Sequence, residues 1–157
     1  KIEEECQACD ANQDYRLRIS LSKSREIEVD RQVLTPLSTS FCQAQLCLQE
    51  ANLKQAFTYF KTTHRPHLNL GEQEKVYHNK SGELLETSIG NLVLKITGKL
   101  YTPPIRLGIL PGIYRQHLLE RGQVEEKVLT LADLAQAEAI YGCNAVRGLY
   151  ELSLEEN

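Results

Sequence analysis

The chain has 157 residues, 41% of them hydrophobic, and a formal net charge of −3, so it has the size of one domain and can bury roughly 68–70% of its unfolded surface. Acidic and basic residues are mixed along it, no run of about 18 apolar residues occurs, and the start, Lys1-Ile2-Glu3-Glu4-Glu5, is acid-rich; these features argue against a nucleic-acid stripe, a membrane span and a signal peptide. Five cysteines, an odd number, fit the reduced thiols of a cytoplasmic protein better than a disulfide framework.

Residues 1–12 are polar and helix-compatible, and the organised domain is expected to begin near Asp14, which divides the chain into a 1–13 segment or linker and a 14–157 domain. Cys6-Gln7-Ala8-Cys9 has zinc-ligand spacing, but no second such pair follows, so no metal site is expected. Tyr15, Leu17, Ile19 and Leu21 alternate with polar residues in the period-two pattern of a half-buried strand. Ser22-Lys23-Ser24-Arg25 reads as a turn, Glu26 to Leu34 alternates again, and Cys42, Ala44, Leu46 and Leu48 repeat the pattern. Three strands in series imply an antiparallel meander.

Further on, Lys75 to His78 and Glu83 to Leu85 flank Asn79-Lys80-Ser81-Gly82, and Leu92 to Ile96 and Lys99 to Tyr101 flank Thr97-Gly98, so two hairpins are predicted. Pro103-Pro104 ends that run. Helices are predicted over Ile113 to Arg121, stopped by Gly122, and over Leu131 to Ala137 behind Thr130, an N-cap with Asp133 three residues on. Val124 to Leu129, Ala139 to Cys143 and Leu149 to Leu154 read as strands. A strand-rich chain with two short late helices argues for an α+β fold.

Four segments carry candidate chemistry. Lys61 follows Ala56-Phe57-Thr58-Tyr59-Phe60, an apolar, strand-like approach that would desolvate its amine; on residues alone a solvated surface lysine is the commoner case. Glu86 follows Leu84-Leu85 within Glu86-Thr87-Ser88-Ile89-Gly90-Asn91-Leu92, where a strand-end glutamate in water is the plain alternative. Thr87 and Ser88 are hydroxyls of the kind that bond the local backbone, and Asn91 is expected to fix the loop. Leu110-Pro111-Gly112-Ile113-Tyr114-Arg115 opens a helix whose first N–H groups suit a phosphate, although any helix start looks alike. His64-Arg65-Pro66-His67 lacks an acidic partner and suggests no metal or acid–base work.

Taken in order, Phe60-Lys61-Thr62-Thr63-His64-Arg65, Glu86 to Leu92, Leu110 to Arg115 and Cys143-Asn144-Ala145-Val146-Arg147-Gly148 resemble the class IV aminotransferase family, which holds branched-chain and D-amino acid aminotransferases and aminodeoxychorismate lyases. The Lys-Thr-Thr-His-Arg and Asn-Ala-Val-Arg-Gly forms are most similar to the lyase-type domain fused behind component I of p-aminobenzoate synthase. The resemblance runs over about Tyr15 to Leu154 and implies the strand-rich, barrel-like larger domain of the D-amino acid aminotransferase-like fold. The family's small N-terminal domain has no matching segment, so the chain resembles a fragment of a longer protein.

The resemblance further implies pyridoxal 5'-phosphate as cofactor, with Lys61 as the lysine that bonds to its aldehyde and Glu86 as the carboxylate at its pyridine nitrogen. The Ile113 and Tyr114 backbones would hold the phosphate. Ala145 stands where related chains often place a serine or threonine hydroxyl against that phosphate. Arg147 would either meet a carboxylate-bearing substrate or brace its loop, Arg65 would meet the substrate, and Arg115 would either neutralise charge near the phosphate or point to solvent. The implied function is a 4-amino-4-deoxychorismate lyase giving p-aminobenzoate and pyruvate for folate synthesis. The alternatives are a branched-chain or D-amino acid aminotransferase and a non-catalytic module. A homodimer or a longer fused chain is the expected assembly, with a small-molecule substrate and neither nucleic acid nor membrane as partner.

Overall fold

The computed structural model describes residues 2–35, 41–49, 58–65, 68 and 73–155. The chain forms two units, Lys1–Ser38 and Thr39–Asn157. In the first, α1 (Ile2–Gln7) precedes the antiparallel strands β1 (Tyr15–Leu21) and β2 (Ile27–Val33), registered from Tyr15 against Val33 to Leu21 against Ile27. The expected turn joins them, with Ser22 and Glu26 closing it and Arg25 at φ 67°. Arg31 reaches back to α1, donating to the Glu5 carbonyl at 3.0 Å.

The second unit holds β3 (Phe41–Leu48), β4 (Glu74–His78), β5 (Leu84–Thr87), β6 (Asn91–Ile96), β7 (Lys99–Thr102), β8 (Glu125–Glu126), β9 (Ala139–Asn144) and β10 (Gly148–Leu154). Sheet order runs β5-β4-β3-β10-β9-β6-β7-β8, and β6 also pairs with β5. That extra pairing closes β5, β4, β3, β10, β9 and β6 into a six-stranded barrel, with β7 and β8 continuing outward from β6. The strand-rich, barrel-like α+β architecture is the one expected. A closed sheet has no edges to protect, which suits a chain with so little helix.

The predicted meander does not form. β3 lies between β10 and β4 and is parallel to both, while β1 and β2 pair with each other. Alternation shows that a segment is a strand with one buried face but not which strand it pairs with. Both predicted hairpins are present: β4 and β5 are antiparallel, and so are β6 and β7, where Thr97 (φ 48°) and Gly98 (φ 76°) make the two left-handed positions of a tight turn. The strand predicted over Val124 to Leu129 shrinks to β8. The rest is irregular backbone, with the Lys127 N–H donating to the Thr102 carbonyl and the Leu84 N–H to the Leu129 carbonyl.

The two predicted helices lie between β7 and β9. α2 (Ile113–Glu120) ends before Gly122 at φ 63°, and α3 (Leu131–Ala135) carries the capping box, in which Thr130 accepts from the Asp133 N–H and Asp133 from the Thr130 N–H. Leu92 and Leu94 of β6 pack with Val76, Leu84, Leu129, Tyr150 and Leu152 in one core. Val93, between them in sequence, points the other way, against Leu118 of α2, Val124 and Cys143. β6 is therefore buried on both faces, and each such leucine contributes on the order of 1.5–3 kcal/mol. This double covering fixes α2, and with it the helix start, against the barrel wall.

Candidate active site

Glu86 is the most consequential side chain on this wall. It lies in β5, 2% exposed, with Oε1 3.3 Å from Arg65 Nη2 and Oε2 accepting the Leu110 N–H at 3.1 Å. Burial pushes its pKa up to about 7, against the opposing pull of the Arg65 guanidinium and the Leu110 N–H. The strand-end glutamate in water is excluded.

The loop after Glu86 is held by its own hydroxyls, as turn hydroxyls commonly are. Thr87 Oγ1 accepts the Gly90 N–H at 3.0 Å, and Ser88 Oγ accepts the Lys75 N–H at 2.9 Å. Asn91 reaches forward, its Nδ2 donating to the Leu110 carbonyl at 2.8 Å, while a Cβ on Gly112 would run into Asn91 Oδ1. Only glycine fits there, so Asn91 and Gly112 set the approach to α2 together. Gly112 is the N-cap of α2 and no side chain among the described residues caps that end; the N–H groups of Ile113 and Tyr114 therefore face outward without intrahelical acceptors.

The fourth motif joins the same rim. Asn144 Nδ2 donates to the Ile89 carbonyl at 3.3 Å, and Asn144 Oδ1 accepts the Val146 and Arg147 N–H groups at 3.0 and 2.9 Å. This turn carries Ala145, which is exposed, and Arg147, which is half-buried. Gly90 is forced by the same contact: a Cβ there would lie 2.5 Å from the Cys143 carbonyl oxygen. A Cβ on Gly148 would lie 3.3 Å from the Tyr114 hydroxyl, which brings the fourth motif beside the third.

Lys61 stands differently. Residues 58–60 form turns rather than the strand expected, and Lys61, Thr62, Thr63 and His64 are exposed, so the apolar setting expected for the amine is not found. Ala56, Phe57, Pro66 and His67 lie outside the described residues. Arg65 connects this stretch to the carboxylate, and its Nε is buried without a hydrogen-bond partner among the described residues.

Arg115 neither faces solvent nor points toward the helix start. It is 1% exposed, Nη2 donating to the Pro103 carbonyl at 2.8 Å and pairing with Glu126. Its side chain fixes α2 to the β7–β8 extension. The sequence reading also passed over Glu74, a buried carboxylate whose Oε1 accepts the Ile89 N–H at 3.3 Å; burial raises its pKa. A glutamate at a strand start gives no signal of that burial. Tyr150 was likewise missed, although Gly142 inside a strand hinted at it: a Cβ there would run into the Tyr150 ring. Among the described residues no group of His, Cys, Asp and Glu could hold a metal ion, and no helix is long and apolar enough to cross a membrane.

Pyridoxal phosphate suits these residues. A carboxylate raised toward neutrality by burial is stabilised by a cationic ring nitrogen, an uncapped helix start suits a phosphate, and the orphaned Arg65 Nε can donate to an anionic group.

Most of the chain is similar to known proteins. The family model described as amino-transferase class IV matches residues 7–153. An aminodeoxychorismate lyase from Saccharomyces cerevisiae is 29% identical over 119 residues, covering 59% of this chain and 32% of the yeast protein. An uncharacterized protein from Haemophilus influenzae is 33% identical over 79 residues, covering 50% of this chain and 41% of the other. This chain thus spans less than half the length of these two relatives. Among solved structures, a putative amino-acid aminotransferase from Mesorhizobium loti superimposes with a TM-score of 0.85 at 26% identity, over 98% of this chain and 78% of that one.

Proposed function

Because the chain belongs to the class IV amino-transferase family, whose members depend on pyridoxal phosphate, we propose that it is the lyase-type domain that turns 4-amino-4-deoxychorismate into p-aminobenzoate and pyruvate. The observation that carries the site is the buried Glu86, bonded to Arg65 of the first motif and to the Leu110 N–H of the third, in a loop whose Ile89 carbonyl accepts from Asn144 of the fourth. The likeness to the yeast lyase, at 29% identity, favours the lyase among the family's reactions. The Mesorhizobium structure supports amine transfer as the second reading.

In this reading Glu86 balances the ring nitrogen, the Ile113 and Tyr114 N–H groups at the uncapped start of α2 hold the phosphate, and Lys61 bonds to the aldehyde. When bound, the cofactor supplies a sink for the electron pair left at the substrate carbon that bears nitrogen. Lys61 Nζ, freed from the aldehyde when the substrate amine takes its place there, would take the proton from that ring carbon. Loss of that proton and of the enolpyruvyl oxygen from the neighbouring ring carbon would leave the ring aromatic, and the departing enol would take a proton to become pyruvate. Arg147, held by the Asn144 turn, orients a substrate carboxylate. Ala145 supplies no hydroxyl, so the phosphate is held by fewer contacts than a serine or threonine would give. A homodimer or a longer fused chain, a cytoplasmic location and a place in folate synthesis belong to the same proposal.

The test supplies aminodeoxychorismate and pyridoxal phosphate and chromatographs p-aminobenzoate and pyruvate, with branched-chain and D-amino acids offered to a keto acid in parallel. p-Aminobenzoate supports the lyase; amine transfer without it moves the assignment to the aminotransferase. Borohydride reduction followed by peptide mapping should place the cofactor on Lys61.

A further inference from the structure

We propose that Arg65 is a positioning residue that orients the Glu86 carboxylate for the cofactor's ring nitrogen and ties the Lys61 segment to the barrel wall. This rests on the cofactor reading above. Two features of the geometry lead to it. Glu86 is 2% exposed, and its two oxygens are taken by Arg65 Nη2 at 3.3 Å and the Leu110 N–H at 3.1 Å. Phe60 through His64 are exposed, and Arg65, half-buried, is where this stretch engages the wall.

A carboxylate buried without a cation takes up a proton, and a neutral acid holds a protonated ring nitrogen weakly. Arg65 supplies that cation from the Lys61 segment. Among the described residues, the other groups facing Glu86 are the Leu110 N–H, from the turn before α2, and Tyr77, on β4, whose phenol is pushed up by burial and, to a lesser degree, by the Glu86 charge. Among the charged groups described at this site, Arg65 alone opposes the burial of Glu86. Because Arg65 follows Lys61 by four positions, the contact that favours the ionised carboxylate also sets how far the lysine can stray from it.

Wild type, Arg65→Met, Arg65→Lys, Glu86→Gln and the double variant combining Arg65→Met with Glu86→Gln, each first shown to be folded by circular dichroism, are titrated with pyridoxal phosphate from about pH 6 to about pH 9 and mapped after borohydride reduction. Arg65→Met should bind about ten- to a hundredfold more weakly at neutral pH. It should recover as pH rises, because Glu86 then ionises without help, and Arg65→Lys should restore most of the loss. In the Glu86→Gln background, Arg65→Met should change affinity by less than about twofold. An unchanged pH profile, or the same loss in both backgrounds, overturns the inference and leaves the cofactor reading standing. Wild type that shows no label at Lys61 overturns both. If Arg65→Met does not fold, Arg65→Gln is read on the same profile and decides in its place.

Discussion

The two halves of the candidate site are built on opposite principles. The carboxylate half is locked: Glu86 and Asn91 are hydrogen-bonded to the Leu110 backbone, and the glycines at 90 and 112 leave no room for a Cβ. The lysine half is open. Lys61 lies on an exposed, irregular stretch that engages the wall through Arg65. Under the proposed function, an electron sink needs a fixed counter-charge, since a shift of one ångström at a reacting centre is costly, whereas a lysine that would first bond to a cofactor and then handle a proton needs room to swing. Rigidity is thus concentrated where charge is held and withheld where an atom must travel.

That contrast can be broken most directly through pH. The Glu86 carboxyl is raised from 4.5 to about 7 in the folded chain, so the stability linked to its protonated form is complete below about 4.5 and is lost as pH rises through 7. The loss should be on the order of 3 kcal/mol. Denaturant unfolding on either side of that window should show it, and Glu86→Gln should remove it. Glu74, also raised by burial, adds slope of the same sign, so the difference between the two proteins, rather than the wild-type slope, isolates Glu86.

A second experiment attacks the lock at the helix start. Gly112→Ala pushes a methyl group against Asn91 Oδ1 and disturbs the Asn91 bond to the Leu110 carbonyl. It should cost about 1–3 kcal/mol in thermal unfolding and weaken phosphate binding with it. On the Asn144 turn, Ala145→Ser should tighten pyridoxal phosphate binding by about two- to tenfold in an absorbance titration and leave stability unchanged. A small effect on stability is expected in the open half as well. Lys61→Ala should stay within about 0.5 kcal/mol of wild type without cofactor, yet lose all borohydride labelling. A large destabilisation by Lys61→Ala would show that the lysine half is as tightly built as the other.

What could be read in the sequence follows how local each feature is. The Thr130 and Asp133 cap, the Thr97-Gly98 turn and the strands from Lys75 to Tyr101 depend on residues near one another in the chain, and all were legible. The parallel neighbours of β3 were not, because pairing across β10 and β4 leaves no trace in the alternation of β3 itself. Glu86 stood out in the sequence through its motif, but its pairing with Arg65, 21 positions away, left no trace there. Arg115 misled for a related reason: a cation in the first turn of a helix looks solvent-facing until the Pro103 carbonyl and Glu126 are brought under it.

The barrel is also spliced at an unusual place. β5 and β6 meet through a single rung, Glu86 opposite Asn91, and below it the two strands part: β6 goes on to pair with β7, while β5 is met by the irregular chain at Glu83 with Thr130 and Leu84 with Leu129. The patch over this gap runs from Lys127, which donates to the Thr102 carbonyl of β7, to Thr130 beside β5. Its length is therefore a ruler. One residue more or fewer between Lys127 and Thr130 would slide the patch against both strands, and the strain would reach first the lone rung that carries the carboxylate.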